Sequence, residues 1–162
     1  MAAKLTKALR QALLDSGAEP ESFLAGVDEW RRDWPANEFE SEYFGKHGGY
    51  MSPKVDGHPY RLLHVHLKPI VDRTALAQWM YRFQNKSRKT SDRALIFVAG
   101  PKGSHLLITI LPEPDAHRVA SDCPKLMNEF ANVAAAFIVS ADVNFARISR
   151  FESGGRDERI CE

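Results

Sequence analysis

Tyr60-Arg61-Leu62-Leu63-His64-Val65-His66-Leu67 is the stretch on which the fold turns. Read as a β-strand, it puts Leu63, Val65 and Leu67 on one face and Leu62, His64 and His66 on the other. One face is apolar and the other carries two imidazoles. Downstream, the apolar runs Ala94 to Ala99 and His105 to Leu111 are joined by Gly-Pro-Lys-Gly-Ser, the pattern of a hairpin with a five-residue loop. Pro112 and Pro114 close its second strand. Between the histidine strand and the hairpin, Leu76, Trp79, Met80 and Phe83 predict a short helix over 73–84, and residues 85–93 form a polar, basic loop.

Working outward, Leu5, Leu9, Leu13 and Leu14 have helical spacing, which predicts helix over 3–15 with Gly17 as its stop. Phe23, Leu24, Val27 and Trp30 after Ser22 predict a second helix, ended by Pro35. Residues 35–59 are rich in glycine and proline and read as an irregular loop anchored by Phe39, Tyr43, Phe44 and Tyr50. Val119, Leu126, Phe130, Val133 and Phe137 mark a helix over 115–139, which Pro124 breaks or kinks. Residues 141–151 alternate weakly, as a short strand would, and 152–162 read as a flexible polar tail. The expected architecture is one α+β domain over 1–151. It comprises a helical part at 1–34, the sheet and basic loop at 60–111 and the C-terminal helix at 115–139. A small antiparallel sheet would carry all helices on one face, leaving the histidine face open to substrate.

A chain of 162 residues with 44% hydrophobic and 27% charged residues is that of an ordinary globular protein. No apolar run approaches the length of a membrane span, and the N-terminal segment, interrupted by Lys4, Lys7 and Arg10, lacks a secretory pattern. Cys123 and Cys161 fit no metal or redox spacing. The expected compartment is the cytoplasm. The net charge of +1 hides an uneven distribution. Residues 1–53 hold six Lys/Arg against nine Asp/Glu, residues 54–105 ten against three, and residues 106–162 six against nine. A basic centre between acidic flanks is either a solvated surface or an RNA footprint, because phosphates respond to local potential.

Three constellations carry candidate chemistry. His64 and His66 share a strand face, and imidazoles move protons near neutral pH. Cleaving RNA through its own 2′-hydroxyl needs a base, an acid for the leaving 5′-oxygen, and cations beside phosphorus. The alternative is a hydrogen-bonded structural role for each ring. A metal is not expected, since Lys68 and Pro69 follow the pair and no cysteine is near, and no cofactor is expected either. The second constellation runs from Lys86 to Arg93, where Arg88, Lys89, Thr90 and Arg93 are candidate phosphate contacts and Asp92 a supporting acid. Such a loop is otherwise simply solvated. The third, Glu113-Pro114-Asp115-Ala116-His117-Arg118, combines a helix start capped by Asp115 with a third histidine, and Glu113 as a further supporting acid. Arg61 is a candidate cation on the histidine strand, and Tyr60, Tyr81 and Trp79 are candidate base-stacking rings, with Trp79 at the spacing of a core residue.

In order, Trp30-Arg31-Arg32-Asp33, Tyr43-Phe44-Gly45-Lys46 with Tyr50, Leu63-His64-Val65-His66-Leu67, Arg88-Lys89-Thr90-Ser91-Asp92, Leu106 to Leu111 and Glu113-Pro114-Asp115-Ala116-His117 resemble the YafO family of type II toxins. The resemblance runs from about Trp30 to Phe137. It implies a RelE-like fold, ribosome-dependent cleavage of mRNA and neutralisation by a cognate antitoxin. Such toxins often begin with a strand, whereas the leucine spacing here predicts helix. It also makes His64, His66 and His117 the candidate catalytic residues, with Arg88, Lys89 and Arg93 as cations. A non-catalytic module that occupies RNA or the ribosome is the alternative.

Overall fold

The computed structural model describes residues 3–34 and 37–140. The strand and tail expected at 141–162 lie outside the described residues. Ala3–Leu5 (β1) leads into helices Lys7–Asp15 (α1), Pro20–Arg32 (α2) and the short Asn37–Glu40 (α3). Strands Phe44–Gly49 (β2) and Leu62–Leu67 (β3) follow, then helix Arg73–Gln84 (α4) and the hairpin Ala94–Ala99 (β4) with His105–Leu111 (β5). Helices Ala116–Asp122 (α5) and Pro124–Val139 (α6) complete it.

The five strands form one sheet in the order β1-β5-β4-β3-β2. The pairs β2–β3, β3–β4 and β4–β5 are antiparallel, but β1 pairs with β5 in parallel, Ala3 opposite His105 and Leu5 opposite Leu107. The α+β class therefore holds with a mixed sheet in place of a purely antiparallel one. The helix expected over 3–15 is corrected at the same point. Thr6 accepts a hydrogen bond from the Leu9 amide and caps α1, so the helix begins at Lys7. The Thr6 hydroxyl also donates to Ile108 O at 2.7 Å, which ties the cap to the sheet. Leu5 and Leu9 match a helical period only because the chain turns between them.

The helices occupy both faces of the sheet, not one. Leu62, Ile96, Val98, Leu106 and Ile108 pack under Val119, Met127, Phe130, Ala134 and Phe137 of α5 and α6. Val65, Leu67, Leu95, Phe97 and Leu107 pack under Leu9, Leu13, Val27 and Trp30 of α1 and α2. The near-continuous apolar runs of β4 and β5 require this, because both of their faces are buried. Fully burying each such Leu or Ile stabilises the fold by ~1.5–3 kcal/mol. The histidine face is thus roofed by α6 over its Leu62 end. Pro124 does break the C-terminal helix, with Cys123 between α5 and α6.

Candidate active site

His66 is the last of the histidine-face residues along β3, and its ring is only 6% exposed as a residue. Its Nδ1 lies 2.7 Å from the Ser91 carbonyl oxygen and 3.0 Å from the Ser91 amide. One ring nitrogen makes one of these bonds at a time. Donation to the carbonyl, the shorter contact, leaves the Nε2 lone pair free. Ser91 is itself fixed, with Oγ 2.6 Å from Leu67 O and 3.0 Å from Arg93 O. Burial pushes the His66 pKa below the ordinary imidazole value; the bond to Ser91 opposes this, and His117 and Lys46 add to it.

His117 arrives from α5. The first amides of a helix lack internal acceptors. Here Asp92 supplies one across the fold: its Oδ1 accepts from the His117 amide and from Nδ1 of the same ring, both at 2.7 Å. Asp115, expected as the cap, makes no capping bond and instead accepts from Arg118. One carboxylate therefore starts α5 and orients the imidazole. The rings of His66 and His117 lie 5.5 Å apart between centroids. They line an open cleft of about 430 Å³ with Thr90, Ser91, Asp92 and Lys46, and Ala75 and Gln78 of α4 form its wall.

A family model described as toxin YafO of type II toxin–antitoxin systems matches residues 32–139, a span that holds every one of these cleft residues. The chain belongs to the YafO toxin family. No curated protein and no solved structure gives a match. Among the described residues no helix is long and apolar enough to cross a membrane.

In this YafO-family chain the other expected site residues separate from the cleft. His64 sits beside His66, with ring centroids 5.8 Å apart, but is covered by Tyr50 at 4.4 Å. Its Nδ1 is buried without a hydrogen bond, and burial, followed by His66 and Lys46, pushes its pKa down to about 4. Lys89 is fully buried, which removes it as a phosphate contact. Its ammonium donates to Glu38 O and Phe39 O at 2.8 and 3.2 Å and lies 5.8 Å from the Trp79 ring centroid. Arg88 is exposed but pairs with the buried Glu38 at 2.6 Å. Arg93 donates to Lys68 O at 3.0 Å, and Glu113 accepts from the Ile70 and Val71 amides, so both pin the chain between β3 and α4. Arg61 stands at the opposite end of β3. Trp79 is a core residue that donates to Glu42 O at 2.7 Å.

Lys46 is the charged cleft residue that sequence reasoning missed, as it did Ala75, Gln78 and Ser91. It lies on β2, in a segment read as loop because Gly45, Gly48 and Gly49 are poor strand formers. The pairing Gly48 with His64 brings it alongside the histidine strand. Its backbone amide bonds Lys89 O at 2.8 Å, which fixes its place at the rim.

Proposed function

We propose that this toxin is an endoribonuclease that cuts messenger RNA on the ribosome through attack by the substrate's own 2′-hydroxyl. The observation that carries this reading is the facing pair His66 and His117, 5.5 Å apart, in a cleft that also receives Lys46. Burial favours neutral His66, which suits it to take the 2′-hydroxyl proton. The freed oxygen attacks phosphorus and the P–O5′ bond breaks. His117, with Nδ1–H on Asp92, gives a proton from Nε2 to the departing 5′-oxygen. Lys46 offsets the charge that builds on the phosphoryl oxygens. The products are a 2′,3′-cyclic phosphate and a 5′-hydroxyl, and no metal takes part in any step. A cognate protein antitoxin would hold the activity in check, as befits a type II toxin.

The test is message cleavage during translation, with product ends mapped chemically. His66→Ala and His117→Ala should each lower cleavage by roughly 10²-fold or more, the ordinary share of a general acid or base. Wild-type rates in both variants would exclude the pair. Arrested synthesis without discrete message ends would point instead to a module that only blocks the ribosome.

A further inference from the structure

A second hollow, of about 400 Å³, opens at the far end of β3 and β4. It is lined by Tyr60, Arg61 and Leu63, by Gly100 and Pro101 of the hairpin turn, and by Ile138 of α6. Tyr60 is 58% exposed, yet its backbone is held at φ 61°. A bulky residue in the left-handed region is strained, and such strain persists only where the surroundings enforce it. They do so here. The Tyr60 amide donates to Tyr50 O at 2.8 Å and the Tyr50 amide to Leu62 O at 2.9 Å. Gly49 lies so close beneath that a Cβ there would meet the Tyr60 carbonyl oxygen at 2.7 Å. The fold thus presents an exposed phenol ring in a costly conformation where glycine would fit more easily.

The backbone of Tyr60 joins the end of a row of rings. From the cleft, His117, His66, His64 and Tyr50 follow one another with centroid separations of 5.5, 5.8 and 4.4 Å, and the Tyr60 amide bonds the Tyr50 carbonyl. Arg61 immediately precedes β3, five residues from His66, about 16 Å at the usual rise of extended chain. Single-stranded nucleic acid is held by this combination: an aromatic face for a base and a cation for the adjoining phosphate.

Resting on the nuclease reading above, we infer that the Tyr60–Arg61 hollow is a second nucleotide subsite, taking a base and phosphate of the single-stranded message away from the scissile bond. Tyr60 stacks on the base, and Arg61 pairs with the phosphate. The subsite sets how firmly the message is gripped; the chemistry stays at the His66–His117 end.

The experiment measures message cleavage on translating ribosomes at varied concentrations of the ribosome–message complex. Tyr60→Ala and Arg61→Ala should each raise KM about ten-fold with kcat within roughly two-fold, the size of one lost stack or phosphate contact. Tyr60→Phe should match wild type. Tyr60→Gly, which relieves the backbone, should melt at a higher temperature than Tyr60→Ala and still show the raised KM. An unchanged KM in Tyr60→Ala and Arg61→Ala overturns the subsite. Recovery of the wild-type KM in Tyr60→Gly overturns it too, by assigning Tyr60 a backbone role. The nuclease reading fails separately, by wild-type cleavage in His66→Ala and His117→Ala.

Discussion

Burial and Lys46 act on His66 in the same direction, both opposing its protonation. The base of the proposed reaction must be neutral to work. With its pKa below 6.5, the fraction of working enzyme stays high as pH falls through the ordinary imidazole range. The acid limb of the cleavage-rate profile should therefore lie below pH 6.5. Lys46→Ala removes a neighbouring charge, so it should move that limb upward while lowering the rate at neutral pH. A profile followed between about pH 5 and 8 checks both, and a limb unmoved in Lys46→Ala would detach that charge from His66. At this scale the sequence was informative about residue type. Alternation along 62–67 put His66 on the right face, the helix start after Pro114 brought His117 forward, and the basic loop at 86–93 supplied Asp92. Lys89 shows where such reading stops. Its sequence neighbours are all polar, and only the packing of α3 and α4 around it turns a cation into a buried donor to Glu38 O and Phe39 O.

Strand β2 is the element that sequence concealed and the site depends on. Its glycines lower strand propensity, yet one of them is demanded by packing. A Cβ on Gly45 would lie 2.3 Å from Lys89 O and 2.8 Å from Cη2 of Trp79. The backbone of the 86–93 loop and the anchor of α4 therefore meet β2 with no space for a methyl group. Gly45→Ala should cost about 2 kcal/mol, since neither carbonyl nor buried indole can withdraw freely. In a domain of this size that lowers Tm by roughly 4–8 °C, readable in a thermal melt. It should also weaken cleavage, because Lys46 is the next residue. A variant that melts with wild type would mean that α4 yields easily. The hairpin, α2 and α6 were legible for the opposite reason: long apolar runs with clear turn or proline boundaries. The three-residue β1 offered too short a period to outweigh the leucines that follow it.

The whole molecule is a sheet with an apolar core on each side, and several histidines are caught in that packing. His64 and His105 both have pKa values pushed down to about 4, burial being the first cause. Unfolding returns them to about 6.5, so between those values the unfolded chain binds more protons. Their contribution to stability is whole above about pH 6.5, falls as pH drops through the window, and declines no further below about pH 4. Urea midpoints should hold from about pH 7.5 to about 6.5 and then fall down to about pH 5, above the range where most carboxylates titrate. His105→Gln should flatten that slope, and an equal slope in the variant would assign the trend to other groups. The double core also explains why the Leu62 and His64 part of the histidine face is covered while the His66 end stays open. Strands buried on both sides cannot be told from their own sequence to which face each later helix will go.

The parallel contact between Ala3 and His105 joins the first described strand to the last. The cleft likewise draws on residues 46, 66, 92 and 117, spread over much of the chain. On the proposed reading, a growing polypeptide carries no assembled cutting centre until α5 has left the ribosome that is making it. On that reading the ribosome's own message is spared while the segment up to α5 is still being made, so the order of the chain acts as a built-in delay.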